Sequence, residues 1–112
     1  MNSQSNSMSS IVEIIRQQIS NPYITNAEMA RLCGMSERQF YIKTEEKTGM
    51  SPNLYLRELR LDKATELLTS GAFSTIKEVA LRVGFLKVSY FSNLYLEREG
   101  LRPTEVLIRP EI

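Results

Sequence analysis

The hydrophobic residues of this chain recur at helical spacing, in segments separated by capping residues, glycines and prolines. The longest segment runs from Pro52 to Ser70; Ser51 before it can act as an N-cap, and Gly71 after it can adopt a left-handed turn. Its apolar residues cover more than half of the helical circumference, whereas a helix that rests on one surface needs a single stripe. The pattern therefore predicts a long linker helix, over residues 52–70, with packing partners on two sides.

Shorter helices are predicted on both sides of the linker helix. Isoleucines recur at helical spacing between Ile11 and Ile19, and an Asn-Pro pair ends this first helix. Further helices are expected near residues 87–97 and from Pro103. No segment alternates with period two, so the predicted fold class is all-α, with about seven helices. Three more helix starts carry the capping-box pattern, a hydroxyl residue followed three positions later by an acid or amide, at Thr25, Ser36 and Thr75.

A repeat relates the two sides of the linker helix. Residues of the first side recur fifty or fifty-one positions later, in the pairs Met29 and Val79, Ala30 and Ala80, Cys33 and Val83, Gly34 and Gly84, Phe40 and Phe91, Gly49 and Gly100, Pro52 and Pro103. In each copy a small residue precedes a glycine by four positions, which is the spacing of a helix-turn-helix. The sequence therefore predicts two tandem helix-turn-helix subdomains, over residues 10–51 and 71–112, joined by the long linker helix. Residues 1–9 are polar and unpatterned and are predicted to be a disordered leader.

The composition removes several classes of function. The 112 residues include one cysteine and no histidine, which excludes an internal disulfide, a cysteine-rich zinc site and catalysis by imidazole. No set of nucleophile, base and oxyanion donors is recognisable, so neither an enzyme nor a cofactor is predicted. No signal peptide or membrane span is apparent, and the protein is predicted to be cytoplasmic, without a membrane partner. The net charge of +1 does not by itself indicate a polyanionic partner.

Longer motifs make the interpretation more specific. The chain has I-x-E-V-A-x-x-V-G-F from Ile76, S-Y-F-S from Ser89, G-x-x-P from Gly100 and L-R-x-x-x-A-x-x-L-L from Leu59. With these motifs, the segment over residues 25–109 resembles the DNA-binding domain of AraC/XylS-type transcription regulators. The resemblance implies a seven-helix domain that places two recognition helices in successive major-groove segments of double-stranded promoter DNA, and so recruits or hinders RNA polymerase. It also implies that the full-length protein carries an N-terminal sensing or dimerisation domain, which this chain lacks.

Carried over by position, the resemblance implies two sets of contact residues. Base contacts are expected from Arg38, Gln39, Tyr41 and Ile42 in the first recognition helix and from Val88, Ser89, Tyr90 and Asn93 in the second. Arg38 suits guanine, Gln39 or Asn93 suits adenine, and Ile42 or Val88 suits a thymine methyl group. Phosphate contacts, which position the protein without reading sequence, are expected from Thr25, Ser36, Lys43, Thr75, Lys77, Lys87 and Ser92.

The chain also departs from the family pattern. Thr44 stands where the family usually has phenylalanine, so the first recognition helix is expected to be less firmly packed. Five further positions lack a basic residue that the family usually has, namely Ile42, Glu45, Asn93, Leu96 and Leu107. These losses support an alternative function, a degenerate helix-turn-helix module used mainly for protein docking or dimerisation. Binding to DNA that weakens with salt separates the two functions.

Two sets of side chains have roles that the sequence leaves open. Tyr90 is next to the core residue Phe91, and either packing or DNA contact suits it equally. Arg57, Arg60 and Lys63 on the linker helix suit either phosphate contact or ion pairs with acidic residues one turn away, and we favour the pairs.

Overall fold

The computed structural model of the protein describes residues 7–111. Within these residues there is no strand, and the seven helices are α1 (Ser7–Gln17), α2 (Asn26–Leu32), α3 (Glu37–Thr48), α4 (Pro52–Thr69), α5 (Ile76–Arg82), α6 (Val88–Glu99) and α7 (Pro103–Val106). The all-α fold class and the tandem arrangement around a long helix are confirmed. The predicted leader lies outside the described residues for positions 1–6, and α1 already begins at Ser7, because a polar run gives no periodic signal of where a helix starts.

The predicted capping boxes define the starts of three helices. At α2, Thr25 Oγ1 accepts from the Glu28 backbone N–H at 3.1 Å, and Glu28 Oε1 accepts from the Thr25 N–H at 3.2 Å. The corresponding pairs at α3 and α5 have distances between 3.0 and 3.2 Å. Gly49 and Gly100 end α3 and α6 with φ of 75°, a left-handed conformation that favours glycine. Local sequence therefore sets both ends of α3 directly.

The first compact unit ends at Leu59 and has its own core. The buried residues of this core come from α1, α2, α3 and the first half of α4, and they are Ile11, Ile15, Met29, Ala30, Phe40, Leu56 and Leu59. Thr44 is fully buried as well, and its hydroxyl donates to the Phe40 carbonyl at 2.7 Å. Cys33 packs against this core, and burial raises the pKa of its thiol. The cysteine is therefore part of the packing of the first unit.

The second unit begins at Arg60 and has an aromatic core. The Phe91 ring lies 5.3 Å from the Phe85 ring and 5.7 Å from the Tyr95 ring, centroid to centroid. The Tyr95 hydroxyl is hydrogen-bonded to Thr65 Oγ1 on α4 at 2.7 Å. The linker helix thus contributes residues to both units, and the boundary between them falls within α4 rather than at the predicted ends of the linker.

The charged residues of α4 only partly follow the favoured intrahelical pairing. Lys63 Nζ lies 3.2 Å from Glu66 Oε1, one turn away, as expected. Asp62 instead pairs with Arg98 of α6, and the Arg60 guanidinium lies over the Phe85 ring, 5.9 Å from its centroid. Both of these contacts join residues that are far apart in sequence, which helical spacing alone does not reveal.

Candidate nucleic-acid interface

The first recognition helix, α3, has one buried side and one exposed side. Phe40 and Thr44 are fully buried and attach the helix to the first core. The predicted base-contact residues of α3 are all exposed, and Tyr41 and Ile42 keep 44% and 41% of their surface accessible. Tyr41 and Ile42 are adjacent large apolar side chains with limited burial in the first core. They are therefore available for an external partner such as the major groove of DNA.

Gln39 has a second role at the start of α3. Its Oε1 accepts from the Ser36 backbone N–H at 3.2 Å, while Ser36 Oγ accepts from the Gln39 N–H at 3.2 Å. A bidentate contact with adenine requires the same Oε1 as an acceptor together with the side-chain amide as a donor. The predicted base contact of Gln39 therefore competes with a cap that stabilises its own helix.

The second recognition helix, α6, is anchored by Phe91 and Tyr95, which are 0% and 1% exposed. Ser89 and Asn93 are exposed, and Val88 is half-buried. Tyr90 is packed and accessible at the same time: its ring meets the Phe85 ring edge-on at 6.0 Å, and 52% of its surface remains exposed. A side chain with one packed edge and one free face is well suited to contact a ligand without losing much conformational freedom.

Several of the predicted phosphate-contact residues lie at helix starts, and these helix starts differ in charge. At α2 and α5 the hydroxyls of Thr25 and Thr75 donate to the carboxylates of Glu28 and Glu78, at 3.1 Å in each case. A carboxylate at a helix start occupies the position that a phosphate would take and repels it. The predicted phosphate contacts of Thr25 and Thr75 are therefore electrostatically disfavoured.

The start of α6 has the opposite character. Its N-cap is Lys87, whose side chain carries donors and no acceptor, and its first turn is uncharged. The helix-start N–H groups and the lysine ammonium both attract an anion there. At α3 the capping box uses the neutral Gln39, although Glu37 lies in the first turn. Of these helix starts, that of α6 is the most favourable for a phosphate.

The remaining predicted phosphate-contact residues are accessible to different degrees. Lys77 and Lys87 are exposed, whereas Lys43 and Ser92 are half-buried. Ser92 lines a cleft of about 220 Å³ in the second unit, between α6 and α7. The other lining residues are Asn93, Leu96, Arg102, Pro103 and Thr104. Arg102 is the one charged residue of this lining, and sequence reasoning did not select it.

The part of the chain that the structure describes offers neither a metal site nor a membrane-spanning helix. Among residues 7–111, no group of cysteine, aspartate and glutamate side chains is arranged to hold a metal ion. None of the helices described above combines the length and the apolar character needed to cross a membrane.

Comparison with known proteins assigns the family. A protein-family model described as a helix-turn-helix domain matches residues 29–109, which make up well over half of the chain. The chain belongs to the AraC/XylS family. The match covers both recognition helices and the linker helix, so the AraC-type domain is a DNA-binding domain of transcription regulators rather than an enzyme.

Individual relatives agree with this assignment. The XylDLEGF operon transcriptional activator 2 of Pseudomonas putida is 30% identical over 99 residues, which cover 87% of this chain and 62% of that protein. The transcriptional activator RhaR of Pectobacterium atrosepticum is 42% identical over 69 residues, which cover 62% of this chain and 24% of that protein. The AraC-type domain thus spans less than two thirds of the length of these curated relatives.

Solved structures agree as well. A transcriptional regulator from Chromobacterium violaceum, described as having an AraC-type DNA-binding domain, superimposes with a TM-score of 0.80 at 28% identity. The superposition covers 93% of this chain and 92% of that one. The fold described here is therefore that of an AraC-type DNA-binding domain.

Proposed function

We propose that this AraC-type domain binds specific sequences of double-stranded promoter DNA and thereby regulates transcription. In the proposal, α3 and α6 enter successive segments of the major groove. The observation that carries it is similar in both units: one side of the helix is attached to the core by buried aromatic residues, Phe40 in α3 and Phe91 with Tyr95 in α6, and the predicted base-contact residues are exposed, apart from the half-buried Val88. Within each helix, packing and recognition are thus assigned to different residues.

The exposed side chains suit particular base edges. The Arg38 guanidinium can form two parallel hydrogen bonds with guanine, and the Asn93 amide can do so with adenine. Ile42 and Val88 suit the methyl group of thymine, and Tyr41, Ser89 and Tyr90 complete the proposed base contacts. Since Gln39 already caps α3, its contribution to base reading is expected to be smaller than that of Arg38.

Phosphate contacts are proposed chiefly at the second recognition helix. Lys87 and the helix-start N–H groups of α6 form the strongest anion site, and Lys43, Lys77 and Ser92 supplement it. Because several basic residues usual in the family are replaced here, the number of phosphate contacts should be small. Affinity falls as salt rises, and each missing contact makes the slope of log affinity against log salt less steep by about 0.9. Binding should therefore be only moderately sensitive to salt.

The experiment that tests this function begins with selection of bound duplexes from a random pool, followed by competition between the selected and a scrambled duplex over a series of salt concentrations. We expect affinity to fall log-linearly with salt while the preference for the selected duplex persists. If no duplex binds even at low salt, DNA recognition is refuted, and the docking or dimerisation function becomes the better explanation.

The effect on transcription needs a separate experiment. We infer from the family that the full-length protein has an N-terminal sensing or dimerisation domain, acts in the cytoplasm and alters promoter use by RNA polymerase. Transcription in vitro from a template that carries the selected site, with and without the domain, measures this directly. A change in transcript yield that depends on the site supports the inference, and an equal yield with and without the site contradicts it.

A further inference from the structure

The repeat is broken at the residue that precedes the proline of the last helix. In the first copy this residue is Ser51, whose Oγ accepts from the Leu54 backbone N–H at 3.3 Å and so caps α4. In the second copy the equivalent residue is Arg102. A guanidinium carries five N–H donors and no acceptor, so it cannot replace the serine as a cap. The arginine therefore needs an explanation other than helix capping.

The start of α7 does not depend on the Arg102 side chain. The Arg102 backbone N–H donates to the side-chain carboxylate oxygen Oε2 of Glu105 at 2.7 Å, and this bond does not use the Arg102 guanidinium. Among residues 7–111, the Arg102 guanidinium forms no ion pair. The Glu105 carboxylate places a negative charge at the start of α7, as Glu28 and Glu78 do at α2 and α5, so an external anion would be held here by the Arg102 guanidinium and not by the helix start.

The surroundings of Arg102 provide further donors. The residue lines the cleft between α6 and α7 together with the hydroxyl residues Ser92 and Thr104 and the amide residue Asn93. Asn93 and Leu96, two of the positions where the family usually has a basic residue, lie in the same lining. Arg102 therefore brings a positive charge to the part of the second recognition helix where this chain has lost two.

We propose that this cleft binds a backbone phosphate of DNA, with Arg102 as its principal contact and Ser92 and Thr104 as supporting donors. The proposal rests on the proposed function, because Asn93 at the rim of the cleft would read a base next to that phosphate. Phosphate is the anion that matches the site: a guanidinium holds two of its oxygens through parallel hydrogen bonds, and hydroxyl donors complete the shell. Arg102 is thus a positioning contact that sets the register of α6 in the groove.

The test uses a duplex selected as above, with single phosphates replaced in turn by the uncharged methylphosphonate. Wild type is compared with Arg102→Ala and with Arg102→Ser, the second of which restores the residue that caps α4 in the first copy. Arg16→Ala, which removes an exposed arginine of α1, is the charge-matched control. Thermal unfolding of each variant, followed by circular dichroism, verifies that the fold is retained.

We expect both Arg102 variants to reduce the salt slope by about 0.9, so that the loss of affinity between about 50 and 200 mM salt becomes about 3.5-fold smaller. One methylphosphonate position should weaken wild type and leave both variants unaffected, while base preference and the Arg16→Ala control remain unchanged. If wild type binds and the variants keep its slope and its methylphosphonate profile, the cleft is not a phosphate site and the proposed function stands. If wild type binds no duplex, both proposals are refuted together.

Discussion

The two recognition helices occupy equivalent positions in the repeat but are anchored by different chemistry. Phe40 and Phe91 are equivalent and both fully buried, and so are their neighbours one turn later, Thr44 and Tyr95, at 0% and 1% exposure. The Thr44 hydroxyl bonds back to the carbonyl of Phe40 in its own helix, whereas the Tyr95 hydroxyl reaches Thr65 on the linker helix. One helix is thus held by a single ring, and the other by a cluster of three rings and a hydrogen bond between helices.

This difference predicts that two helices in equivalent positions of one fold have unequal local stability. A back-bonded threonine satisfies its hydroxyl within its own helix, so this hydroxyl adds no hydrogen bond to another element. Thr48 repeats the pattern at the end of α3, where its hydroxyl donates to the Thr44 carbonyl at 2.7 Å. We therefore expect α3 to open locally at a lower free energy than α6, as the replacement of the usual phenylalanine by Thr44 suggests.

The largest expected effect is that of removing the buried rings. Phe40→Ala and Phe91→Ala should each reduce the free energy of unfolding by about 3–5 kcal/mol, because each leaves a cavity. The loss at Phe91 should be larger by about 0.5–1.5 kcal/mol for each ring contact that is broken. Urea unfolding followed by circular dichroism measures both. An equal or larger loss for Phe40→Ala would contradict the comparison between the helices.

The same comparison can be made for base reading. Arg38→Ala in α3 and Asn93→Ala in α6 should each relax sequence preference by about 1–3 kcal/mol at one base pair. Competition between selected and singly substituted duplexes measures this, and Arg38→Lys, which keeps the charge but loses the paired hydrogen bonds, separates base reading from charge. Competition curves that do not change in either variant would show that these helices do not read bases.

A smaller effect is expected from the bond between α6 and the linker helix. Tyr95→Phe should reduce the free energy of unfolding by about 1 kcal/mol, because the Thr65 hydroxyl loses its buried partner. Thr65→Val alone and in combination with Tyr95→Phe completes a double-mutant cycle. Strict additivity of the two single changes would mean that this hydrogen bond does not contribute to the anchoring of α6.

The smallest effect is expected at the equivalent position of α3. Thr44→Val should change the free energy of unfolding by less than about 1 kcal/mol, because the Phe40 carbonyl keeps its helical hydrogen bond and the shape is nearly preserved. Native-state hydrogen exchange should also show faster exchange of amides in α3 than in α6, before and after the substitution. Slower exchange in α3 would indicate that Thr44 anchors its helix at least as well as Tyr95 anchors α6.

Much of the fold could be predicted because its signals are local. The three capping boxes involve residues only three positions apart, and all of them form as the sequence indicates. The repeat identified Phe40 and Phe91 as equivalent anchors, since burial of one aromatic position per copy follows from helical spacing.

The features that escaped prediction depend on contacts between distant residues. The pairing of Asp62 with Arg98 and the bond between Thr65 and Tyr95 join α4 to α6, and periodicity carries no information about such partners. The role of Arg102 was missed for a related reason, because its cleft forms only when α6 and α7 come together. The sequence does carry one signal for this role, because Arg102 stands where the first copy of the repeat has Ser51. For Gln39, the sequence indicates both a cap and a base contact; the cap forms, and the base contact stays a prediction.

The boundary between the two units lies inside α4, and this determines where the chain can be divided into fragments that fold. Leu56 and Leu59 belong to the first core, while Leu61, Ala64 and Leu68 are buried in the stretch that belongs to the second unit. A cut between Leu59 and Leu61 would leave each set of buried residues with its own unit, whereas a cut nearer either end of α4 would deprive one fragment of part of its apolar interior. Recombination, whether in evolution or in the laboratory, is therefore expected to succeed when it breaks the chain near Leu59 and to fail when it breaks the helix nearer either end.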